Sequence, residues 1–521
     1  MSVAHDPLAS IDDLMARRAW TAAARELDQF LKKSPKHVEA LLRRSTTALR
    51  LGRYRQSWEL ALRASAEPIS EPHWVLALAR QLMIFLEVDA LRACLKHPRF
   101  RAEAPAMALA EAGTLLNNVG ANEDASVFAE LAVSRDPSSA AAHYFRATTR
   151  VFFGDLAAAE AGFERCLALQ PQHAQAHWAL AGLRRQTLES NHVPRLQTAL
   201  QRVRPGTPGE VFTGFALFSE LNDLARYDEA WPVLMRACAS KRQQLGYDHR
   251  QAMQLLTQIA QVCDADFCAA PSAPSDPEAL TPIFIIGMHR SGTTLLERIL
   301  GGHSQISDGG ESYAFTARLK WLCDHNMAGA LDQTLLERSR DIDFAELGQG
   351  FLRTLATRSR GRRYITEKLP SNFVNVGLIA RALPQAKFLH MVRDPMDTCF
   401  SNLRTPFTFV CGYSYVQREM AEYFLGYQRL MAHWHRVLPG RVFDVNYRSL
   451  VNDPASAAQK LMAYLGLPFE AASLEIERNA SAVATASSAQ VRGGIRRDHT
   501  SAWKPYQNYL EPMINLLGAG D

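Results

Sequence analysis

The sequence predicts a chain in two parts: an N-terminal all-α solenoid of helical hairpins, and a C-terminal α/β domain with a parallel sheet and a P-loop-like turn. Three observations predict it. Residues of the first half recur at intervals of 34: Gly120 and Gly154, Ala125 and Ala159, His143 and His177, Pro137 and Pro171. Beyond Thr281, short β-rich runs alternate with segments of helical periodicity, the pattern of a parallel sheet covered by helices. At the head of that half, residues 283–300 read as strand, glycine-framed turn and helix.

The repeats occupy residues 1–267. Gly52 lies two periods before Gly120, and Pro35 three before Pro137, so one phase holds over several periods. This period is the length of a tetratricopeptide repeat, two antiparallel helices per unit. Gly52-Arg53-Tyr54 and Gly154-Asp155-Leu156 mark the turn between the two helices. Ser57, Ala125 and Ala159 allow close approach, and the prolines end the second helix. Gly120 departs from the turn pattern, with Asn122 two residues on. About six units are expected, two of them degenerate. One, at 72–103, has Leu86 where the glycine belongs; another, at 211–239, turns at Ala225-Arg226-Tyr227, three residues out of phase. Stacked units of this kind form a curved solenoid. Its aromatic and leucine stripes read as core, and its concave face is a candidate groove for a protein or peptide.

Residues 268–280 are rich in proline, alanine and serine and read as an extended linker. A net charge of +5 over 521 residues gives no sign of general nucleic-acid binding, while a local basic site stays open. The first residues lack a basic region followed by an apolar run, and no apolar stretch reaches ~18 residues, so neither a secretion signal nor a membrane span is expected. The eight cysteines are scattered, with no Cys-x-x-Cys. They read as reduced, packed groups rather than a zinc site or disulfide framework. A cytoplasmic location is expected.

The second part, residues 281–521, shows strands at 283–287, 364–366, 387–392 and 442–446. Helices are expected at 291–300, 313–323, 344–358, 373–383, 395–403, 415–438 and 454–465. Such sheets bind ligands at the C-terminal ends of their strands. There the chain places Met288-His289-Arg290-Ser291, Glu367-Lys368, Arg393-Asp394 and Tyr447-Arg448. Arg290, Lys368, Arg393 and Arg448 are thus expected on one rim. Beside them, Gly287 and Gly292 let a turn present free N–H groups and a helix dipole to an anion. A ligand with several negative charges is implied.

The spacing G-x-x-x-x-G-T-T approaches the nucleoside-triphosphate loop, with Thr293 where the lysine belongs. The strand at 387–392 ends in Arg-Asp rather than a bare Asp. Magnesium-dependent phosphoryl transfer by a P-loop kinase is therefore disfavoured. The runs GMHRSGTT at 287–294, GGE at 309–311, EKLPSNF at 367–373 and MVRDPMDTCFSN at 391–402 resemble the sulfotransferases that use 3′-phosphoadenosine 5′-phosphosulfate (PAPS). The resemblance is to the tyrosylprotein sulfotransferase branch and its bacterial relatives, and the array ahead of the domain is similar to bacterial repeat–sulfotransferase fusions. It covers residues 283–506 and implies a sulfotransferase fold, PAPS as co-substrate and no metal. It further implies that backbone N–H groups and hydroxyls of Arg290, Ser291, Gly292, Thr293 and Thr294 hold the 5′-phosphate and sulfate. Arg290 and Lys368 would neutralise charge on the bridging oxygen and sulfuryl group. Arg393 and Ser401 would bind the 3′-phosphate, Tyr447 would contact adenine, and Ser487, with Ser488 beside it, would lie on a loop closing over the sulfate. Trp503 matches a tryptophan in the family's closing segment.

The same resemblance makes Glu311 the general base for the acceptor hydroxyl. A first-turn acid for the following helix is the plain alternative. His303 is the competing base, since cytosolic sulfotransferases use His, while His390, mid-strand, reads as core. His289 stands where the family often has Pro. The expected activity is sulfuryl transfer to a hydroxyl or phenol. A protein tyrosine is one candidate acceptor; glycans and small metabolites stay open. A tetratricopeptide adaptor with a catalytically idle nucleotide-binding domain is the alternative from another class.

Overall fold

Six helices begin at Val38, Pro72, Ala106, Ala140, Ala174 and Pro208, each 34 residues after the last. Helices that follow a tight turn begin at Trp20, Tyr54, Val88, Asn122 and Leu156 on the same interval. The computed structural model that shows this describes residues 8–69, 71–270, 280–407, 410–478, 494–495 and 501–518. What sets the interval is a backbone turn. Arg18, Gly52, Leu86, Gly120 and Gly154 all take left-handed φ values, from 55° to 85°. In each case the next N–H bonds back five residues: Ala19 to Leu14, Arg53 to Ala48, Glu87 to Leu82, Ala121 to Leu116 and Asp155 to Arg150, at 2.9–3.0 Å. This is the bond that closes a Schellman turn. Leu86 and Arg18 do with a side chain what glycine does without one.

The unit expected three residues out of phase starts in phase, at Pro208. The offset arises inside it: Pro208–Asp223 has 16 residues against 13 in Val38–Arg50. Ala225 therefore turns late, with φ 57° and Arg226 N–H on the Leu221 carbonyl at 2.9 Å. Against about six units expected, the described residues show seven helix pairs. The pair Ala9–Ala16 and Trp20–Lys33 is added, and Ala174–Ala181 with Val193–Arg202 is irregular. His143 and His177 recur for their own reason. Each ring Nε2 hydrogen-bonds the carbonyl of a proline six residues back, Pro137 and Pro171, at 2.9 Å.

The chain divides into two compact units that do not follow the sequence boundaries at 267 and 281. The first joins residues 1–146 with 313–328 and 337–343; the second holds 147–312, 329–336 and 344–521. In the first, Trp321 meets Trp58 edge-on at 6.5 Å, the Arg318 guanidinium stands 4.8 Å from the Trp58 ring, and Asp324 accepts from Arg55 N–H at 2.8 Å. In the second, Arg242 forms a two-point ion pair with Glu419, 2.9 Å at each nitrogen. Tyr506 is buried among Phe218, Tyr227, Trp231 and Phe400. Composition reads covalent order and so marks the linker. Compactness follows shared apolar surface, which crosses it.

The sheet lies in the second unit. Its strands are β1 Thr281–Gly287, β2 Ile306–Ser307, β3 Tyr364–Glu367, β4 Lys387–Val392 and β5 Val442–Asn446, all parallel, in the order β2-β3-β1-β4-β5. The four longer strands are those expected. Strand β2, two residues at the edge, is too short for any alternation to show. Central β1 is buried throughout. Ile283 and Ile285 join Leu296, Ile299 and Leu300 of the next helix in one cluster, while Phe284 stacks on Phe351 and Phe388 at 5.6 and 5.7 Å. Such two-sided burial is what an all-parallel sheet requires. Among the described residues, no helix is long and apolar enough to cross a membrane.

Ala225 is exposed and left-handed. Ala225→Gly should therefore stabilise the protein by about 1 kcal/mol, read as a higher urea midpoint with an unchanged slope.

Candidate active site

The anion loop follows β1. At Gly292, which caps the helix Thr293–Gly301, φ is 106° and a Cβ would stand 2.5 Å from the Tyr447 ring. Only glycine suits both the turn and its neighbour. Arg290 is also left-handed, with φ 65°. Such a strand-to-helix turn curls amides into a concavity at the positive end of the helix dipole. Ser291 donates its hydroxyl to the Met288 carbonyl at 2.7 Å, bracing the loop. Thr293 and Thr294 open the helix and are buried. Asn402, from the helix Pro395–Leu403, donates to the His289 carbonyl at 2.7 Å and ties the loop to its neighbour. Asn402 is not among the expected site residues, although it follows Ser401 in the motif.

Three guanidiniums meet here. Arg393, just after β4, donates from Nη1 to the Arg290 carbonyl at 3.2 Å, and its guanidinium stands 4.5 Å from the centre of the Tyr447 ring. Arg290 Nε donates to Ser401 Oγ at 3.4 Å. Burial lowers Arg290 to about 10, with repulsion from Arg404 and then Arg393 adding to it. Burial also lowers Arg404, with Arg393 again the next cause. Cations that oppose one another in a dry site suit a ligand carrying more than one negative charge. Arg404 is missed by sequence reasoning; its signal is its place three residues past Ser401, one helical turn on. Arg448, in the first turn of the helix after β5, is exposed, and Tyr447 beside it meets the loop.

Lys368, just after β3, is wholly buried, and its ammonium pairs with the Glu311 carboxylate. The Glu311 side chain is 42% exposed, leaving it open to solvent. It is no helix cap: the helix Ala314–Cys323 has Tyr313 at its N-cap and no side-chain cap bond. The glycines before it have a steric cause, since a Cβ on Gly309 would stand 1.7 Å from the Thr366 carbonyl oxygen. Glu367, buried, has no hydrogen-bond partner on either carboxyl oxygen. Burial pushes it well above the usual carboxylate range.

The histidines separate cleanly. His303 is buried, its Nε2 on the Pro468 carbonyl at 3.0 Å and its Nδ1 accepting from Gln305 N–H at 3.1 Å. With both nitrogens engaged in packing, it is not placed to compete as base. His390 bridges Asp444, at 2.7 Å, and the Tyr427 hydroxyl, as a packed strand residue. His390, His435 and Asp444 bring ligand-type atoms within 4.8 Å of one another. Both rings hydrogen-bond one Asp444 oxygen, at 2.7 and 3.0 Å, which accounts for the grouping. His289 lies edge-on to Phe407 at 5.6 Å. Burial lowers it to about 4; Glu311 opposes the shift, while Lys368 and Arg290 add to it. It is neutral at neutral pH. Ser487 and Ser488 lie outside the described residues. Trp503 is buried at the start of the helix Lys504–Tyr509.

Residues 282–471 match the model described as the sulfotransferase family, so the C-terminal region carries a sulfotransferase-family domain. An uncharacterized protein of Aquifex aeolicus (strain VF5) is 30% identical over 315 residues, 59% of this chain and 41% of that protein. Protein-tyrosine sulfotransferase 2 of Gallus gallus is 25% identical over 208 residues, 36% of this chain and 51% of that protein. The chain thus spans about two fifths to one half of the length of these relatives. Among solved structures, the sulfotransferase domain of the Synechococcus PCC 7002 olefin synthase covers 48% of this chain and 98% of its own at 19% identity, with a TM-score of 0.30. At that score the likeness carries no argument.

His289 binds its proton more weakly folded, at about 4, than its ordinary 6.5. Between those values the unfolded chain holds more protons, so folding weakens as pH falls. His289→Gln should lose less stability than wild type from pH 6.5 to 4, as read from urea midpoints at each pH.

Proposed function

We propose, on the premise that residues 282–471 form a sulfotransferase-family domain, that the protein moves a sulfuryl group from PAPS to a hydroxyl or phenol. One observation carries the reading. Arg290 belongs to the glycine-turned anion loop, Arg393 donates to its carbonyl, and Arg404 repels both charges, with the Lys368–Glu311 pair in the same unit. The loop from Arg290 to Thr294 would hold the 5′-phosphosulfate through N–H groups and hydroxyls. Arg393, Ser401 and Arg404 would hold the 3′-phosphate, and Tyr447 the adenine. Ser487 would close over the sulfate.

The acceptor oxygen attacks sulfur and its proton passes to Glu311. The bond from sulfur to the bridging oxygen breaks, and adenosine 3′,5′-bisphosphate leaves with the electron pair. Lys368 and Arg290 stabilise charge on the bridging oxygen and sulfuryl group, which is catalysis by positioning and fixed charge. A metal is not needed for these roles. A peptide tyrosine is the acceptor we favour, supported by the match to protein-tyrosine sulfotransferase 2. The repeat array is the element we assign to holding it.

Calorimetry with adenosine 3′,5′-bisphosphate, and a labelled-donor assay over tyrosine peptides, phenols and glycans, test the reading. Arg393→Ala should weaken bisphosphate binding by about 100-fold. Glu311→Gln should keep that binding and lower kcat by about 10²–10⁴. Absence of bisphosphate binding, or full activity in Glu311→Gln, overturns the proposal.

A further inference from the structure

Lys368 does not face Glu311 alone. Its Nζ also stands 3.9 Å from Oε2 of Glu297, whose side chain is 9% exposed. Glu297 lies on the helix that begins at the anion loop. Its Oε1 accepts from Gly310 N–H and from the Thr366 hydroxyl, both at 3.0 Å. Thr366 Oγ1 in turn accepts from Gly309 N–H at 2.9 Å. One carboxyl group thus fixes both the turn that carries Glu311 and the cation that pairs with it.

We propose that Glu297 is a positioning residue for the base: ionised, it shares Lys368 with Glu311 and leaves the Glu311 carboxylate free to take the acceptor's proton. This rests on the sulfuryl-transfer reading. A carboxylate held tightly by one ammonium is a weak base, and a second carboxylate on the same ammonium restores its proton affinity. The charged groups that act on Glu297 are Lys368, Asp308 and Glu311, with Arg298 next to it in the chain; Glu367, which burial raises well above the usual carboxylate range, also interacts with it. Burial raises Glu297 to about 7; Lys368 opposes the rise, and Asp308 and Glu311 add to it. Below that pH Lys368 closes on Glu311 alone. Above it the cation is shared and the Gly309–Gly310 turn is held by charge-assisted hydrogen bonds. Sulfuryl transfer therefore rises with pH through about 7.

The test uses the full chain: bisphosphate calorimetry, then kcat/KM against pH for wild type, Glu297→Gln and Glu297→Asp. Wild type should show the rising limb. Glu297→Gln should lose the limb and about tenfold in kcat, while bisphosphate affinity holds. Glu297→Asp should restore a limb at a shifted pH. A limb that persists in Glu297→Gln overturns the inference. Should that variant fail to fold, an unmoved limb in Glu297→Asp overturns it. A wild type that binds no bisphosphate, or binds it and transfers no sulfuryl, overturns the enzymatic reading and this inference with it. That outcome is seen before any variant is made.

Discussion

Burying cations is the constraint on which the site depends. Arg290 and Arg404 stand in surroundings that oppose their charge, and Lys368 is wholly buried. The sheet makes the grouping possible. With β3, β1 and β4 side by side and parallel, their C-terminal ends open on one edge, and Lys368, Arg290 and Arg393 leave the strands together. The parts then divide the electrostatic load. Lys368 is offset by two carboxylates, Glu311 and Glu297. Arg290 and Arg393 have among their contacts a hydroxyl, a carbonyl and the face of Tyr447. The cation held by two carboxylates is the one placed beside Glu311.

Much of this was legible in the sequence because the informative residues follow strands at once. A strand end is easy to find, and whatever comes next must lie on the rim. That logic places Arg290, Lys368, Arg393 and Tyr447. It says less about Arg448, which is exposed, because the first turn of a helix sends successive side chains in different directions. It also misses Arg404, Asn402 and Glu297, which reach the site from helices. Their positions depend on which helical face turns inward, and a segment such as Thr293–Gly301, buried almost all round, has no polar face to betray it. His303 shows the opposite case: its chemistry suggested a base, and its hydrogen bonds to Pro468 and Gln305 show a structural pin.

The repeats were legible by spacing and less so by composition. The interval was clear from glycines and prolines, yet the turn tolerates Arg18, Leu86 and Ala225 in the same left-handed state. The division of the chain was not legible. Residues 313–328 follow Glu311 by a single residue and belong to the first compact unit, while residues 147–262 belong with the sheet. Aromatic side chains such as Trp321 and Tyr506, which hold these groupings, carry no mark in sequence of which partner they meet.

The repeated turn has a consequence for how such an array can change. Its phase is kept by a main-chain hydrogen bond that any residue but proline can donate, so the array is punctuated by length and not by vocabulary. Gain or loss of a whole 34-residue unit leaves every other turn as it was. A shorter insertion has to be swallowed within one helix, as Pro208–Asp223 swallows three residues. Drift can therefore erase the glycines one by one without shifting the beat, and an ancestry of duplication outlives the residues that first announced it.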